Sequence, residues 1–245
     1  MRNLDEIIRA RHSQRVPFDP LRRPPEADVQ AILEAARWAP TAHNMQNFEI
    51  LVIDDTERLA EIGRIATETS EMFVRENFAQ LSFSEEELTQ KGTGLLATMF
   101  PPAWRTPGVP PEHVVGSRPG CLADTMRSCP MILIATYDTR TRAPASEGDV
   151  LGLISLGCMM QNMWLTAESA GIGMQIMSVF SNAEVESTLR PLLGIPAHMK
   201  TAFACRLGYP ADTPGRYLQV RRDVSRFTHH NCFDADREPT QRTPA

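Results

Sequence analysis

The alternation of hydrophobic and polar positions along the chain predicts a helix-rich fold with about four strands. The predicted helices share apolar residues three and four positions apart, with capping residues, prolines or glycines at their ends. They cover residues 3–11, 22–40, 54–66, 149–173 and 182–194. The predicted strands are short continuous apolar runs, which are typical of strands buried on both faces. They cover residues 48–53, 129–138, 174–180 and 200–210.

Residues 68–120 depart from this pattern. Ser84 and Glu87 form the capping-box signature of one short helix, but the many prolines and glycines that follow cannot continue a helix. We expect an excursion from the main fold that acts as a lid. Its aromatic residues, such as Trp104, either close over a ligand or pack the lid onto the protein itself.

Composition favours a soluble globular protein. The 245 residues are 42% hydrophobic, which suits one large domain or two small ones. We expect a single domain over residues 1–233 with a frayed polar tail, 234–245. The formal charge of −5 provides no basic field, so nucleic acid is not an expected partner. The N-terminal residues lack the apolar core of a signal peptide, and no apolar run approaches the roughly 18 residues that span a bilayer. We therefore expect a cytoplasmic protein without a membrane partner.

Positively charged side chains near the N-terminus suggest a phosphate site. Arg11, Ser13 and Arg15 alternate just past the first predicted helix, so an extended chain would point all three the same way. Two guanidinium groups and a hydroxyl can cradle a phosphate. A second basic pair, Arg221 and Arg222, lies near the other end of the domain. Taken alone, each cluster is more typical of solvated surface arginines than of a phosphate site.

Motifs for other kinds of site are missing from the sequence. There is no G-x-G-x-x-G, no G-x-x-x-x-G-K-[ST], no G-x-S-x-G and no H-E-x-x-H. The five cysteines are an odd number without C-x-x-C spacing, so neither a disulfide framework nor a metal site is indicated. If the protein is an enzyme, a cofactor supplies its reactivity.

A polar loop separates the helix that ends near Pro40 from the strand that begins at Phe48. In an extended loop Asn44 and Gln46 would face the same way. Amide side chains both donate and accept hydrogen bonds, which suits the edge of a flat heterocycle that alternates carbonyl and N–H groups. An ordinary polar turn, in which Asn44 bonds its own backbone, explains the same residues.

Five segments together carry a family resemblance. They are RHSQRVPFD, ILEAARWAPTAHNMQNFEILVI, AESAGIGMQIMSVF, LLGIPAHMKTAFACRLGYP and RRDVSRF. In order and spacing, from about Leu4 to His230, they resemble the nitroreductase family of FMN-dependent oxidoreductases. The first resembles the family's R-x-S-x-R, the second its A-P-S-x-x-N-x-Q-P-W and the fourth its L-G-I-P and L-G-Y-P. The chain departs from the family where Thr41 replaces Ser and where Asn47 and Phe48 replace Pro and Trp.

This resemblance implies an α+β fold with a mixed central sheet surrounded by helices, in an intertwined homodimer with one FMN at each of two subunit interfaces. The residues implied to hold the phosphate and ribityl groups of FMN are Arg11, His12, Ser13 and Arg15, with Arg222 and also Arg221 closing on the phosphate. Those implied to meet the isoalloxazine ring from the partner subunit are Pro40, Thr41, Ala42 and Asn44, to which the amide argument adds Gln46. Those implied to lie along the ring near its reactive nitrogen are Ile176, Met177 and Ser178, with Ser178 as the candidate catalytic residue.

The implied activity is an oxidoreductase that passes electrons from NAD(P)H through FMN to a small acceptor, such as a nitroaromatic, a quinone or another conjugated molecule. The alternative is a flavin-binding protein without reductase turnover, which fragments or stores its flavin or acts as a regulatory subunit. Both need the same phosphate cradle, so the motifs leave the two open.

Overall fold

A computed structural model describes residues 2–66, 68–69, 84–92, 96–97, 116–117, 121–211, 217–218 and 220–233. The chain divides into two units. The first combines Met1–Thr67 with Pro119–Pro214, and the second combines Glu68–Arg118 with Gly215–Ala245. The tail 234–245 and Trp104 of the expected lid lie outside the described residues, and the single-domain prediction stays a prediction.

The first unit contains a four-stranded sheet and six helices among the residues described. The strands are β1 (Phe48–Ile53), β5 (Met131–Asp138), β6 (Gly173–Met177) and β7 (Met199–Gly208). The helices are α1 (Leu4–Ala10), α2 (Glu26–Arg37), α3 (Thr56–Gly63), α5 (Cys121–Arg127), α6 (Val150–Ser169) and α7 (Ala183–Leu193). This combination confirms the predicted α+β class.

Local signals set the ends of these helices as the sequence predicted. Asn3 caps α1 in a capping box with Glu6, and the side chain of Asp55 accepts a hydrogen bond from the N–H of Arg58 at the start of α3. Gly171 follows α6 with a φ of 71°, the left-handed conformation that closes a helix most easily at glycine.

The strand order of the sheet is β1-β5-β7-β6, and each neighbouring pair is antiparallel. The sheet was expected to be mixed, but its four described strands contain no parallel pair. The reason lies in the crossover through α6: β5 and β6 run in the same direction, and β7 is inserted between them. Two strands that could have paired in parallel are therefore never neighbours.

Strand β1 is only partly buried, contrary to the expectation of a strand buried on both faces. Only Ile53 is buried, and Glu49 and Val52 are exposed. The reason is its position at the edge of the sheet, which the local apolar run does not reveal. The predicted strand 174–180 also ends earlier, at Met177, where a 3₁₀ turn begins.

The long helix α6 is apolar on two opposite faces. The buried face, which includes Met159 and Met163, packs against α2 and the central sheet. On the other side Val150, Leu153 and Ile154 are each more than half exposed, at 55%, 54% and 55%. The sequence reading treated the whole helix as buried, because an all-round apolar helix in a globular protein normally is. The N-terminal end of the helix instead presents an apolar surface stripe.

The stretch Glu147–Ser169 is also long and apolar enough to cross a membrane, judged by length and composition among the described residues alone. The expectation that no stretch approaches such a length is therefore wrong on this criterion. Gln161 and Asn162 interrupt the apolar run, but the mean hydropathy of the stretch stays high enough for a membrane span. A core helix of a soluble protein passes the same test, so the finding is weak evidence for a membrane.

The second unit contains short elements among its described residues. They are β2 (Glu68–Thr69), α4 (Glu85–Lys91), β3 (Leu96–Ala97), β4 (Gly116–Ser117) and β8 (Tyr217–Leu218). Strand β2 pairs with β4, and β3 pairs with β8. The capping box predicted at Ser84 and Glu87 begins α4, which confirms that signature.

Candidate functional site

The segment that follows α1, residues 11–18, contacts strand β6; we call it the arginine segment. The N–H of Gln14 donates to the carbonyl oxygen of Met174 at 3.0 Å. Gln14, Val16 and Phe18 are buried. Ser13, which precedes Gln14, and Arg15, which follows it, are half-buried. Burial therefore alternates along the segment, as expected of an extended chain that points alternate side chains to opposite sides.

A glycine of β6 makes this close packing possible. A Cβ atom added at Gly173 would lie 3.0 Å from Gln14 Cγ and 3.0 Å from Phe18 Cε1. A larger residue would require the side chains of Gln14 and Phe18 and the carbonyl oxygen of Gly208 to give way. Close packing therefore favours glycine at position 173, and the left-handed backbone conformation favours glycine at position 171.

Two side chains of the segment have defined contacts at its start. The guanidinium carbon of Arg11 lies 4.4 Å from the ring centroid of Trp164 on α6, a cation–π arrangement. His12 Nδ1 lies 3.0 Å from the carbonyl oxygen of Ala10, at hydrogen-bond distance. Arg11 is therefore held against the helix rather than extended into solvent.

The polar loop between α2 and β1 has an unusual backbone. His43, Asn44 and Gln46 adopt positive φ angles of 51°, 54° and 46°, which are uncommon for residues other than glycine. Thr41 Oγ1 accepts from the N–H of Gln46 at 3.2 Å, and Gln46 Nε2 donates to Asn44 Oδ1 at 3.0 Å. Strained loops that surrounding contacts hold in place are frequent at binding sites.

The two amide side chains therefore contact each other, as side chains that face the same way can. They also border a cavity of about 520 Å³. It is lined by Arg37, Trp38, Ala39, Pro40, Thr41, Asn44 and Gln46. Four of the residues named from the sequence thus share one cavity.

The sequence analysis missed Ser155, which fixes this loop to α6. Its hydroxyl accepts from the N–H of Ala42 at 2.9 Å and donates to the carbonyl oxygen of Leu151 at 2.7 Å. Ser155 is 7% exposed, so the contact is shielded from water. A small polar residue on the buried face of an apolar helix is the signal that could have found it.

The third group of candidate residues lies where β6 ends. Ile176 and Met177 close the strand, and Ser178 begins the 3₁₀ turn Ser178–Ser181. Met177 is buried, whereas Ser178 is exposed. Ser178 therefore presents its hydroxyl at the same strand that carries the arginine segment.

The three groups attach at different places on the sheet: the arginine segment contacts the start of β6, Ser178 follows its other end, and the polar loop precedes β1 at the opposite edge. One row of paired residues crosses the whole sheet. It is Leu51, Ile134, Ala204 and Met177. Three strand spacings make this row about 14 Å wide, and Phe48, where the polar loop meets β1, lies roughly 10 Å farther along the strand. Within one chain, the polar loop and Met177 are too far apart to line a single tricyclic ring.

Arg221 and Arg222 belong to the second unit. Both are exposed; Arg221 Nη1 donates to the carbonyl oxygen of Val220 at 2.7 Å, and the Arg222 guanidinium lies 5.5 Å from the ring of Phe227. Their role at a phosphate stays a prediction.

Comparison with known proteins assigns the class. The model of the nitroreductase family matches residues 8–209, which is most of the chain. The chain belongs to the nitroreductase family.

Sequence relatives are similar over part of their length. An NADPH-dependent oxidoreductase of Staphylococcus saprophyticus is 30% identical over 107 residues, which are 44% of this chain and 42% of the relative. One from Staphylococcus aureus strain USA300 is 29% identical over 104 residues, 42% of this chain and 41% of the relative. The matched stretch thus spans less than half the length of these curated relatives.

Solved structures agree with the fold. A nitroreductase with bound FMN from Bacteroides fragilis NCTC 9343 has a TM-score of 0.54 and 20% identity, covering 94% of this chain and 99% of its own. An FMN-dependent nitroreductase from Clostridium difficile R20291 has a TM-score of 0.56 and 16% identity, covering 93% of this chain and 98% of its own. At these identities the similarity confirms the nitroreductase fold.

Proposed function

We propose that this protein is an FMN-dependent oxidoreductase that passes electrons from NAD(P)H to a small electron-poor or conjugated acceptor. The observation that carries the proposal is the arginine segment anchored through Gln14 to Met174 near the start of β6, the strand whose other end leads into Ser178. The names of the relatives support it: two are NADPH-dependent oxidoreductases, and two solved neighbours are nitroreductases described with FMN.

The residues around β6 fit a phosphorylated flavin. Guanidinium groups at Arg11 and Arg15 and the hydroxyl of Ser13 are donors suited to a phosphate, and His12 lies among them. The burial of Gln14 and Val16 leaves Ser13 and Arg15 on the other, partly exposed side of the segment. We assign the phosphate and ribityl groups to this segment, with Arg221 and Arg222 as further phosphate ligands.

FMN, when bound, supplies the redox chemistry by taking two electrons from NAD(P)H and delivering them to the acceptor. The protein binds and orients it. Ile176 and Met177 would offer backbone groups at the end of β6, and the exposed Ser178 hydroxyl would donate a hydrogen bond to the ring. Such fixed donors stabilise negative charge wherever it develops on a bound ring.

We further propose a homodimer in which the polar loop of one copy meets the flavin bound by the other. Within one chain the loop and Met177 are separated across the sheet, so a second copy is the simplest source of the missing contacts. The residues that would reach the ring border the loop cavity, with Ala42 beside them; they are Pro40, Thr41, Asn44 and Gln46. The exposed apolar stripe of α6 supports the same conclusion, because such stripes normally mark an interface.

The test begins with the purified full-length protein. We expect it to be yellow, or to bind added FMN at micromolar concentration, and to release FMN on denaturation. Rapid anaerobic mixing with NADPH or NADH should then bleach the flavin absorption band. Small acceptors are next added one at a time, and an acceptor that takes the electrons should restore the band. A protein that binds FMN without bleaching would be a flavin-binding protein without reductase turnover, and one that binds no FMN would contradict the proposal.

A further inference from the structure

Arg206 on β7 is a buried cation whose side chain contacts the backbone of the arginine segment. Arg206 is only 3% exposed. Nη2 donates to the carbonyl oxygen of Val16 at 2.8 Å and lies 3.4 Å from that of Gln14. Nε of the same guanidinium group donates to Gln175 Oε1 at 2.6 Å. One side chain therefore joins the segment, β6 and β7.

The guanidinium group is also held face-on. Its central carbon lies 4.4 Å from the ring centroid of Phe18, which is itself fully buried. A ring on the face and acceptors around the edge fix both the plane and the rotation of the group. The ring contact and the hydrogen bonds together thus fix the orientation of the Arg206 guanidinium group.

The contacts fall on alternate residues of the segment. Carbonyl groups two residues apart in an extended chain point the same way, so Nη2 of Arg206 reaches those of both Gln14 and Val16. The N–H of Gln14 is already bound to Met174 on β6. The backbone is therefore fixed immediately before and after Arg15, whose side chain leaves on the other side.

We propose that Arg206 is a positioning residue of the phosphate site, which rests on the proposed function above. It acts through the backbone at Gln14 and Val16, and so aims Arg15 and Ser13 at the phosphate of the bound flavin. A lysine cannot take its place, because a single ammonium group cannot bridge carbonyl groups and an amide in one plane. A methionine fills a similar volume but makes none of these hydrogen bonds.

The test measures the affinity of the flavin-free full-length protein for FMN and for riboflavin, which lacks the phosphate, by quenching of flavin fluorescence. In Arg206→Met and Arg206→Lys we expect FMN to bind about tenfold or more weakly, while riboflavin changes by less than about threefold. The readout is the ratio of the two affinities, because a general loss of folding would lower both.

Arg190→Met is the matched control. Arg190 also donates to backbone carbonyl groups, those of Pro196 and Met199, but at the loop that precedes β7. We expect this variant to lose thermal stability while keeping the wild-type ratio of affinities.

The possible results separate the two proposals. If wild type binds FMN better than riboflavin and both Arg206 variants keep that preference, Arg206 is only a structural residue and the inference is wrong. If Arg206→Met does not fold, Arg206→Lys decides in the same way. If wild type binds neither flavin, the proposed function is wrong and the inference falls with it.

Discussion

The hydroxyl of Ser155 accepts a hydrogen bond from the backbone N–H of Ala42 at 2.9 Å, across 113 residues of sequence. It joins the buried face of α6 to a loop in which three residues that are not glycine have positive φ angles. Such a backbone is costly and persists only where surrounding contacts determine it. The Ser155 contact is one of those determinants.

Ser155→Ala should therefore destabilise the protein and loosen the polar loop. Because Ala42 would lose its shielded acceptor, we expect the free energy of unfolding to fall by about 1–3 kcal/mol. Urea denaturation measures the change. Ser169→Ala is the control, since Ser169 lies on the same helix but its hydroxyl bonds Thr166 at an exposed end. Equal stabilities of the two variants would show that the Ala42 contact contributes nothing.

A charge in the apolar stripe of α6 should prevent dimer formation. Ile154→Asp places a carboxylate where Val150 and Leu153 form the rest of the exposed surface, and burying an unpaired charge in an interface is unfavourable. Sedimentation velocity should show a dimer for wild type and a monomer with weaker FMN binding for the variant. Leu21→Asp, at a residue that is 93% exposed, should remain dimeric. A wild-type monomer that still binds FMN tightly would contradict the shared site.

Arg222→Ala should weaken FMN binding by about 1.5–3 kcal/mol, the usual contribution of a hydrogen bond to a charged group. Folding should suffer less, because the side chain is exposed. Titration calorimetry gives the affinity, and Arg226→Ala, at another exposed arginine of the same unit, is the control. Unchanged affinity in Arg222→Ala would identify this residue as solvated surface.

Two buried thiols should make the stability fall at alkaline pH. Burial raises the pKa of the Cys129 thiol to about 11 and that of the Cys205 thiol to about 12, against an ordinary value of 9.0. Between about pH 9 and about pH 11 the unfolded chain therefore loses protons that the folded chain keeps. Each thiol should lower the free energy of unfolding by at most about 1.4 kcal/mol per pH unit in that range, and by nothing below it.

Urea unfolding under reducing conditions, from about pH 8 to about pH 10.5, measures this slope. Cys129→Ala should have a shallower slope than wild type, whereas Cys232→Ala, which removes an exposed thiol, should keep the wild-type slope. Identical slopes for all three proteins would mean that Cys129 ionises as easily in the folded state as in the unfolded one.

Short-range signals in the sequence determined most elements of the fold. The spacing of apolar residues predicted the helices, and caps such as Asn3 and Gly171 marked their ends, because these signals act within one or two helical turns. The ordered motifs predicted the family. The alternating burial from Ser13 to Val16 also agrees with the extended backbone expected for this segment.

The tertiary structure alone decided which surfaces are covered and which distant groups meet. The order β1-β5-β7-β6 placed β1 at an edge, and packing on α2 and the sheet covered only one of the two apolar faces of α6. Ser155 and Arg206 looked like ordinary helix and strand residues, because their partners lie 113 and about 190 residues away. Local periodicity records which residues prefer to be buried, but a long-range contact exists only once the elements are arranged in space.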